Sequence, residues 1–179
     1  MSVLYDDNIV AFGGNDFAIN HGYYNYRSLH DEESIALKRC FFCILIHGYA
    51  DSVQSEGTNW SPKDLIDKAS VYYRNLGKNR AILLLSCFTA YGVAKQVAMN
   101  FHVPVIAPKA AASINDVGQI LTVDVDDNIR TQNGRVNMPD DKRWMFFSTS
   151  GNISDVSPYP VLDKSKAVKL ASRQMFIFG

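Results

Sequence analysis

Two apolar runs decide the fold of this chain: FFCILIHG at residues 41–48 and AILLLSC at residues 81–87. Continuous apolar runs of this length are typical of strands that are buried on both faces of a parallel sheet. The segment between them starts as a polar loop and continues with helical spacing. This β-α-β order favours two parallel strands joined by a right-handed crossover.

Each run leads into a chemically reactive residue, His47 after the first and Cys87 after the second. The carboxyl ends of parallel strands meet at one edge of a sheet, where open α/β sheets bind their ligands. A thiol and an imidazole at adjacent strand ends are typical of a nucleophile and its base. If a thiolate attacks a carbonyl, the backbone N–H groups of Gly48 and Cys87 are the candidates for holding the oxyanion.

The segments around the two runs predict further elements. Ser61 and Pro62 are typical of a helix start, and Gly77 ends that helix. A second helix is predicted over residues 91–101 and a third strand over residues 103–107. Weaker patterns predict a strand or hairpin at 3–12, a loop with one short strand at 17–30, a short helix or polar loop at 31–38, and a polar loop at 51–60.

After residue 110 the pattern changes from alternating strands and helices to hairpins. Strands are predicted at 120–125 and 143–148, with a hairpin turn at Asn133-Gly134, a loop at 151–163 and a final helix at 164–175. The sequence as a whole therefore predicts an α/β fold. We expect a mostly parallel sheet with flanking helices and a C-terminal hairpin region, in a single domain over residues 1–179.

Composition limits the classes of function. The chain has 179 residues, 18 basic and 18 acidic side chains, and therefore no net charge, which argues against nucleic acid as the main partner. No apolar run approaches the ~20 residues of a membrane span, and residues 1–7 lack the pattern of a signal peptide. Three cysteines do not suggest a disulfide framework. We therefore expect a protein that acts in a reducing cytosol and has no membrane-spanning segment.

The candidate residues also have structural interpretations. Cys87 is compatible with an inert core cysteine, and His47 with a hydrogen-bonded structural residue. His21 precedes Gly22 and is a rival for the base. Asp51 follows His47 closely and is a candidate for orienting it or for binding a basic substrate residue, although a solvated loop carboxylate has the same pattern. Ser86 and His21 complete the candidate substrate-binding residues.

A metal site has little support in the sequence. Cys40 and Cys43 have the spacing of a metal or redox pair, but on an extended strand they would face opposite sides. No second pair of cysteines or histidines completes a zinc site. We therefore predict no metal and no cofactor.

The order apolar strand, His47-Gly48, crossover helix, apolar strand, Ser86-Cys87 resembles the clan of caspase-like (clan CD) cysteine peptidases. That clan includes caspases, gingipains, separase and the self-cleaving domains of large clostridial and multifunctional toxins. Further segments look more specifically like bacterial polymorphic-toxin domains, including Rhs-type secreted effectors, and the resemblance covers roughly residues 40–150. These segments are LLSC at 84–87, VA at 97–98, VPVIAP at 103–108 and WMFF at 144–147.

The resemblance implies a His47–Cys87 dyad, an oxyanion hole at the Gly48 and Cys87 N–H groups, and endopeptidase activity. It also implies a secreted or delivered effector that acts in a target-cell cytosol on target proteins or on its parent polypeptide. A cognate immunity protein is the partner that such toxins have. Two alternatives remain open: a non-catalytic protein-binding domain on the same fold, and an α/β-hydrolase-like acyl hydrolase. The second lacks the Gly-x-Ser-x-Gly elbow of that fold.

Overall fold

The two apolar runs form adjacent parallel strands at the centre of a seven-stranded sheet. The structure is a computed structural model and describes residues 2–30, 32–114, 120–123 and 144–157. Its strands are β1 (Leu4–Asp6), β2 (Ile9–Ala11), β3 (Phe41–Leu45), β4 (His47–Gly48), β5 (Val53–Ser55), β6 (Thr58–Trp60), β7 (Ala81–Leu85), β8 (Val105–Pro108), β9 (Ala111–Ile114), β10 (Ile120–Val123), β11 (Trp144–Phe147) and β12 (Ile153–Ser157). Its α-helices are α1 (Phe17–Ser28), α2 (Glu32–Cys40), α3 (Pro62–Tyr72) and α4 (Val93–Phe101).

The main sheet has the order β1-β2-β3-β7-β8-β11-β12. Its four central strands β2, β3, β7 and β8 run parallel, and the strands at both edges pair antiparallel. The α/β class is therefore confirmed, with a parallel centre inside a mixed sheet. Because four parallel strands point the same way, the segments that follow them leave the sheet at one common edge.

Side chains of the central strands alternate between two cores. Phe41, Cys43 and Leu45 of β3 face the core that includes residues of α1 and α2, whereas Phe42 and Ile44 face the core that includes residues of α3 and α4. All five residues of β3 are buried. This double burial explains why the apolar runs are continuous, since a strand between two layers has no solvent-facing side.

Several weaker expectations were wrong. Residues 17–28 form helix α1 and not a loop, although its buried residues Ile19, Gly22, Tyr23 and Tyr26 have helical spacing. Its asparagines and glycine have low helix propensity, and tertiary packing overrides that preference. Residues 51–60 contain the strands β5 and β6, and residues 151–157 contain β12.

Other expectations fare better. Residues 32–40 form helix α2, which decides between the helix and the loop considered above. The helix after Ser61 is confirmed, with Ser61 and Asp64 forming a capping box, and a π-helical turn extends it to Gly77. The hairpin expected at Asn133-Gly134 and the helix expected at 164–175 lie outside the described residues. Within the described chain, no helix has both the length and the apolar character needed to cross a membrane.

Arg80 stabilises the edge of the sheet where the parallel strands begin. Its guanidinium donates to the side chain of Asn8 at 2.9 Å and to the carbonyl oxygens of Lys38 at 2.6 Å and Leu76 at 2.7 Å. It also bonds the carbonyl of Asp7 and lies 5.6 Å from the ring centre of Phe42. One side chain thereby ties together the segments that precede β2, β3 and β7.

Candidate active site

Four segments meet at the edge where the parallel strands end. The chain after β2 carries Asp16, the chain after β3 carries His47, the chain after β7 carries Cys87, and the chain after β8 carries Ala112. Leu45 of β3 pairs with Leu85 of β7, so the residues that follow these two strands emerge side by side. This is the edge at which parallel α/β sheets bind ligands.

Gly48 packs directly on the backbone of Cys87 and the side chain of Ser86. A Cβ atom added to Gly48 would lie 2.3 Å from the Cys87 carbonyl oxygen, 2.3 Å from Ser86 Oγ and 2.9 Å from the Cys87 backbone nitrogen. No side chain fits in that space. The sequence prediction that His47-Gly48 and Ser86-Cys87 lie together at one edge therefore has a specific geometric basis, a glycine that permits backbone-to-backbone contact.

The Cys87 sulfur lies against strand β9. The Ala112 N–H donates to Sγ at 3.3 Å, and the thiol donates to the Ala112 carbonyl oxygen at 3.7 Å. Burial raises the pKa of the Cys87 thiol, and the N–H groups of Ala112, Cys87 and Gly48 directed at the sulfur lower it by less. The pKa of the Cys87 thiol therefore lies above its ordinary value, and helix α4 begins only at Val93.

The backbone after the thiol is strained. Phe88 has φ +61° and ψ +6°, a left-handed conformation that non-glycine residues adopt at a cost of ~1–2 kcal/mol. Two hydrogen bonds hold this turn: Thr89 Oγ1 donates to the Ser86 carbonyl at 2.7 Å, and the Phe88 N–H donates to Ala110 at 3.1 Å. Such strained residues persist only where the surrounding structure holds them, and they cluster at functional sites.

His47 has an acidic partner that the sequence prediction missed. Its Nε2 atom lies 3.0 Å from Oδ2 of Asp16, and both side chains are partly exposed. Burial raises the pKa of Asp16, but the Ile19 N–H and the His47 imidazole together lower it by more. The pKa of Asp16 therefore lies below its ordinary value. A carboxylate on Nε2 fixes the orientation of the ring.

Local sequence explains how Asp16 is presented. The Asp16 N–H donates to the Gly13 carbonyl at 2.8 Å, and Gly14 has φ +56°, which closes a tight turn after β2. Asp16 then caps helix α1 by accepting from the Ile19 N–H at 3.0 Å through Oδ1. One carboxylate oxygen thus begins the helix while the other contacts His47. The signal in the sequence is an Asp cap after Gly-Gly, visible only once α1 is known to be a helix.

The remaining predicted residues are placed differently. Asp51 is exposed and accepts a hydrogen bond from Ser52 at 3.2 Å, while the carboxylate found on His47 is that of Asp16. Ser86 is buried behind Gly48, and its Oγ has no hydrogen-bond partner among the residues that the structure describes. His21 is an exposed residue of α1 whose ring stacks on Phe17 at 5.4 Å between centres.

The other two cysteines sit apart from this edge. Cys43 is fully buried in the centre of β3, and burial raises the pKa of its thiol well above the ordinary value. Cys40 is the last residue of α2, so the expectation that it belongs to the same extended strand as Cys43 was wrong. Within residues 2–30, 32–114, 120–123 and 144–157, no three Asp, Glu, His or Cys side chains are grouped to hold a metal ion.

Comparison with known families gives one match. A family model described as "Domain of unknown function (DUF8616)" matches residues 20–122, which is more than half of the chain. The protein belongs to this family. The matched segment includes His47, Gly48, Cys87 and Ala112, while Asp16 precedes it. Neither the curated proteins nor the solved structures contain a match to this chain.

Proposed function

We propose that this DUF8616 protein is a cysteine endopeptidase with Cys87 as nucleophile and His47 as general base and acid. The observation that supports it most directly is the packing of Gly48 on the Cys87 backbone and the Ser86 side chain. This contact brings the strand end that carries the imidazole to the strand end that carries the thiol. A nucleophile, a base and an orienting third group are the parts that activate a thiol.

The electrostatics of the site support the same division of roles. Asp16 bonds Nε2 of His47, so Nδ1 is the ring atom available to exchange a proton with the thiol or with a leaving group. The Gly48 and Cys87 N–H groups lower the pKa of the Cys87 thiol, as donors close to the sulfur do, and we assign them to the carbonyl oxygen of the attacked peptide group. Removing one donor of this kind typically costs ~3 kcal/mol of transition-state stabilisation.

In the proposed reaction, His47 takes the proton of the Cys87 thiol, and the thiolate forms a bond to the carbonyl carbon of a peptide. The tetrahedral oxyanion is held by the Gly48 and Cys87 N–H groups. The C–N bond then breaks as the His47 imidazolium gives its proton to the leaving amine. A water molecule, deprotonated by His47, attacks the thioester, releases a carboxylate product and restores the thiol.

The finer assignment is a caspase-like domain of a polymorphic toxin or secreted effector. It is supported by the resemblance of residues 40–150 and by the order of the parallel strands, with an antiparallel strand β11 after β8. Its substrates would be target-cell proteins or the parent polypeptide, in a reducing cytosol that keeps Cys87 reduced. A cognate immunity protein is the partner expected for such an effector.

The test compares new protein N-termini in a cell lysate treated with wild type, Cys87→Ala or Cys43→Ala. Both substitutions remove a partly or fully buried thiol, so Cys43→Ala controls for the loss of packing. The proposal predicts that lysate treated with wild type or with Cys43→Ala contains new termini, and that these termini all follow the same type of residue. Lysate treated with Cys87→Ala should contain none. Equal patterns for all three folded proteins would contradict it.

A non-catalytic binding domain is the second candidate, and one observation favours it. The Cys87 sulfur is engaged by the main chain of Ala112, and burial raises the pKa of the thiol, which is the arrangement of an inert core cysteine. This alternative predicts that Cys87→Ala alters stability and no cleavage. It also predicts that His47→Ala leaves partner capture from solution unchanged.

A further inference from the structure

Strand β9 stands apart from the main sheet and covers the thiol. It pairs with β10 in a separate two-stranded sheet, with Ala112 opposite Thr122. Within the described part of the chain, no strand pairs with the other edge of β9. That second edge is turned toward the Cys87 turn and helix α1.

Alternate residues of β9 make the contacts of this second edge. The Ala110 carbonyl, just before the strand, accepts from Phe88 at 3.1 Å. Ala112 contacts the Cys87 sulfur through both its N–H and its carbonyl oxygen, and the Ile114 carbonyl accepts from Asn25 Nδ2 at 3.4 Å. The spacing of two matches strand geometry, in which every second residue directs its backbone groups to the same side. Ala112 therefore lies at a position of the β9–β10 pair that makes no ladder hydrogen bond.

One half of this contact requires a protonated, unreacted thiol, while the Ala112 N–H can donate to the sulfur in either protonation state. Sγ can donate to the Ala112 carbonyl oxygen only while it carries its proton, and a thiolate would face the negative end of that carbonyl dipole. A carbonyl carbon must approach a nucleophile to about 3–3.5 Å in a reactive complex. The Ala112 backbone nitrogen already occupies a point 3.3 Å from the sulfur.

We propose that β9 is a built-in strap that keeps the site latent, with the main chain of Ala112 held against the sulfur until β9 shifts away from the Cys87 turn. This inference rests on the proposed peptidase function for its biological meaning, because it assigns the regulation of that same site. The strap is held at its two ends by buried side chains, Ala110 and Ile114. Ile114 lies over Gly22 of α1, where an added Cβ would be 3.3 Å from its Cγ2.

Two substitutions loosen the strap in different ways. Ala112→Pro removes the N–H that contacts the sulfur. Because Ala112 makes no ladder hydrogen bond to β10, the proline should leave the β9–β10 pairing intact. Ile114→Ala removes the side chain that anchors the end of β9 on Gly22 and Leu45. Ile153→Ala is the matched control, because Ile153 is an exposed strand residue of β12 and makes no part of the strap.

The experiment measures the rate at which iodoacetamide alkylates Cys87, with peptide mapping to separate it from Cys40 and Cys43. In the native wild type we expect alkylation about tenfold or more slower than in the unfolded chain. In folded Ala112→Pro we expect an increase of up to about tenfold, the effect of one lost hydrogen bond on an opening equilibrium. In folded Ile114→Ala we expect an increase that comes from lost apolar packing at the end of β9. Ile153→Ala should match the wild type.

The strap is wrong if native wild-type Cys87 is alkylated as fast as in the unfolded chain. It is also wrong if either folded variant reacts no faster than wild type, and the wild-type measurement applies even where a variant fails to fold. New N-termini in the lysate report the peptidase separately. Faster alkylation without cleavage would support the strap and contradict the proposed function, whereas cleavage with unchanged alkylation would do the reverse.

Discussion

The carboxylate of Asp16 lies 3.0 Å from Nε2 of His47, across two neighbouring parallel strands. The relationship depends on β2 and β3 running in the same direction, because only then do the turn after β2 and the residue after β3 share an edge. Asp16 makes two contacts at once, capping α1 and holding His47. It is the residue whose substitution best separates orientation of the His47 ring from folding of the site.

We expect Asp16→Asn to lower kcat by about tenfold or more with little change in KM, since the carboxylate orients the imidazole but transfers no proton itself. Asparagine is as good a helix cap as aspartate, so α1 should stay folded. The measurement is steady-state cleavage of a peptide drawn from the sites cut in lysate. Asp51→Asn is the matched control, and a larger loss of kcat there than in Asp16→Asn would assign the orienting role to Asp51.

Gly48→Ala should destabilise the protein by roughly 1–3 kcal/mol, the usual cost of forcing a methyl group into a packed site. The added Cβ would lie 2.3 Å from the Cys87 carbonyl oxygen, and a backbone atom cannot rotate away as a side chain can. The free energy of unfolding in urea measures the effect. Gly57→Asn is the control: Gly57 has φ +75° and no atom within 4 Å of an added Cβ, and asparagine tolerates that backbone conformation. Equal losses would mean that the Gly48 contact is not tight.

Arg80→Lys should cost about 2–3 kcal/mol of stability. The guanidinium bonds the Asn8 side chain and three carbonyl oxygens in two other segments at once, and a lysine ammonium cannot reach so many acceptors from one position. Thermal and urea unfolding measure the loss. Arg74→Lys changes the same residue type at an exposed position and should stay within about 0.5 kcal/mol of wild type. A loss as small at Arg80 would show that its hydrogen bonds are replaceable by water.

Stability should fall as the pH rises above about 8.5, the ordinary value of a thiol. Burial raises the pKa of Cys43 in the folded state, so the folded protein holds that proton more tightly than the unfolded chain does. The contribution of Cys43 to stability is therefore fully present below the thiol pKa of the unfolded chain. It is lost as the pH rises toward the thiol pKa of the folded protein. The slope approaches about 1.4 kcal/mol per pH unit for one such thiol.

Cys43→Ala isolates this contribution in urea unfolding between pH 8 and 9.5. The variant should lose less stability per pH unit than wild type, while Cys87, whose pKa is also raised by burial, keeps part of the dependence. Cys40→Ala is the control, since Cys40 is only partly buried. An unchanged slope in Cys43→Ala would mean that this thiol does not titrate differently in the two states.

The sequence by itself determined the centre of the fold. A strand between two layers must be apolar at every position, so strands could be predicted at 40–46 and 81–86 without knowledge of their neighbours, and the structure has them at Phe41–Leu45 and Ala81–Leu85. The helix after Ser61 was equally local, because its capping box satisfies the first backbone N–H groups from within four residues. The position of His47 and Cys87 at one edge followed from the parallel β-α-β order.

Only the tertiary structure decided what surrounds those two residues. Asp16 reaches His47 because β2 pairs with β3, and Ala112 reaches Cys87 because β8 pairs with β7, and no local pattern encodes either pairing. Helix α1 escaped prediction because packing of Ile19, Gly22, Tyr23 and Tyr26 outweighs its low helix propensity. The raised pKa of the Cys87 thiol likewise comes from burial, to which a strand distant in sequence contributes.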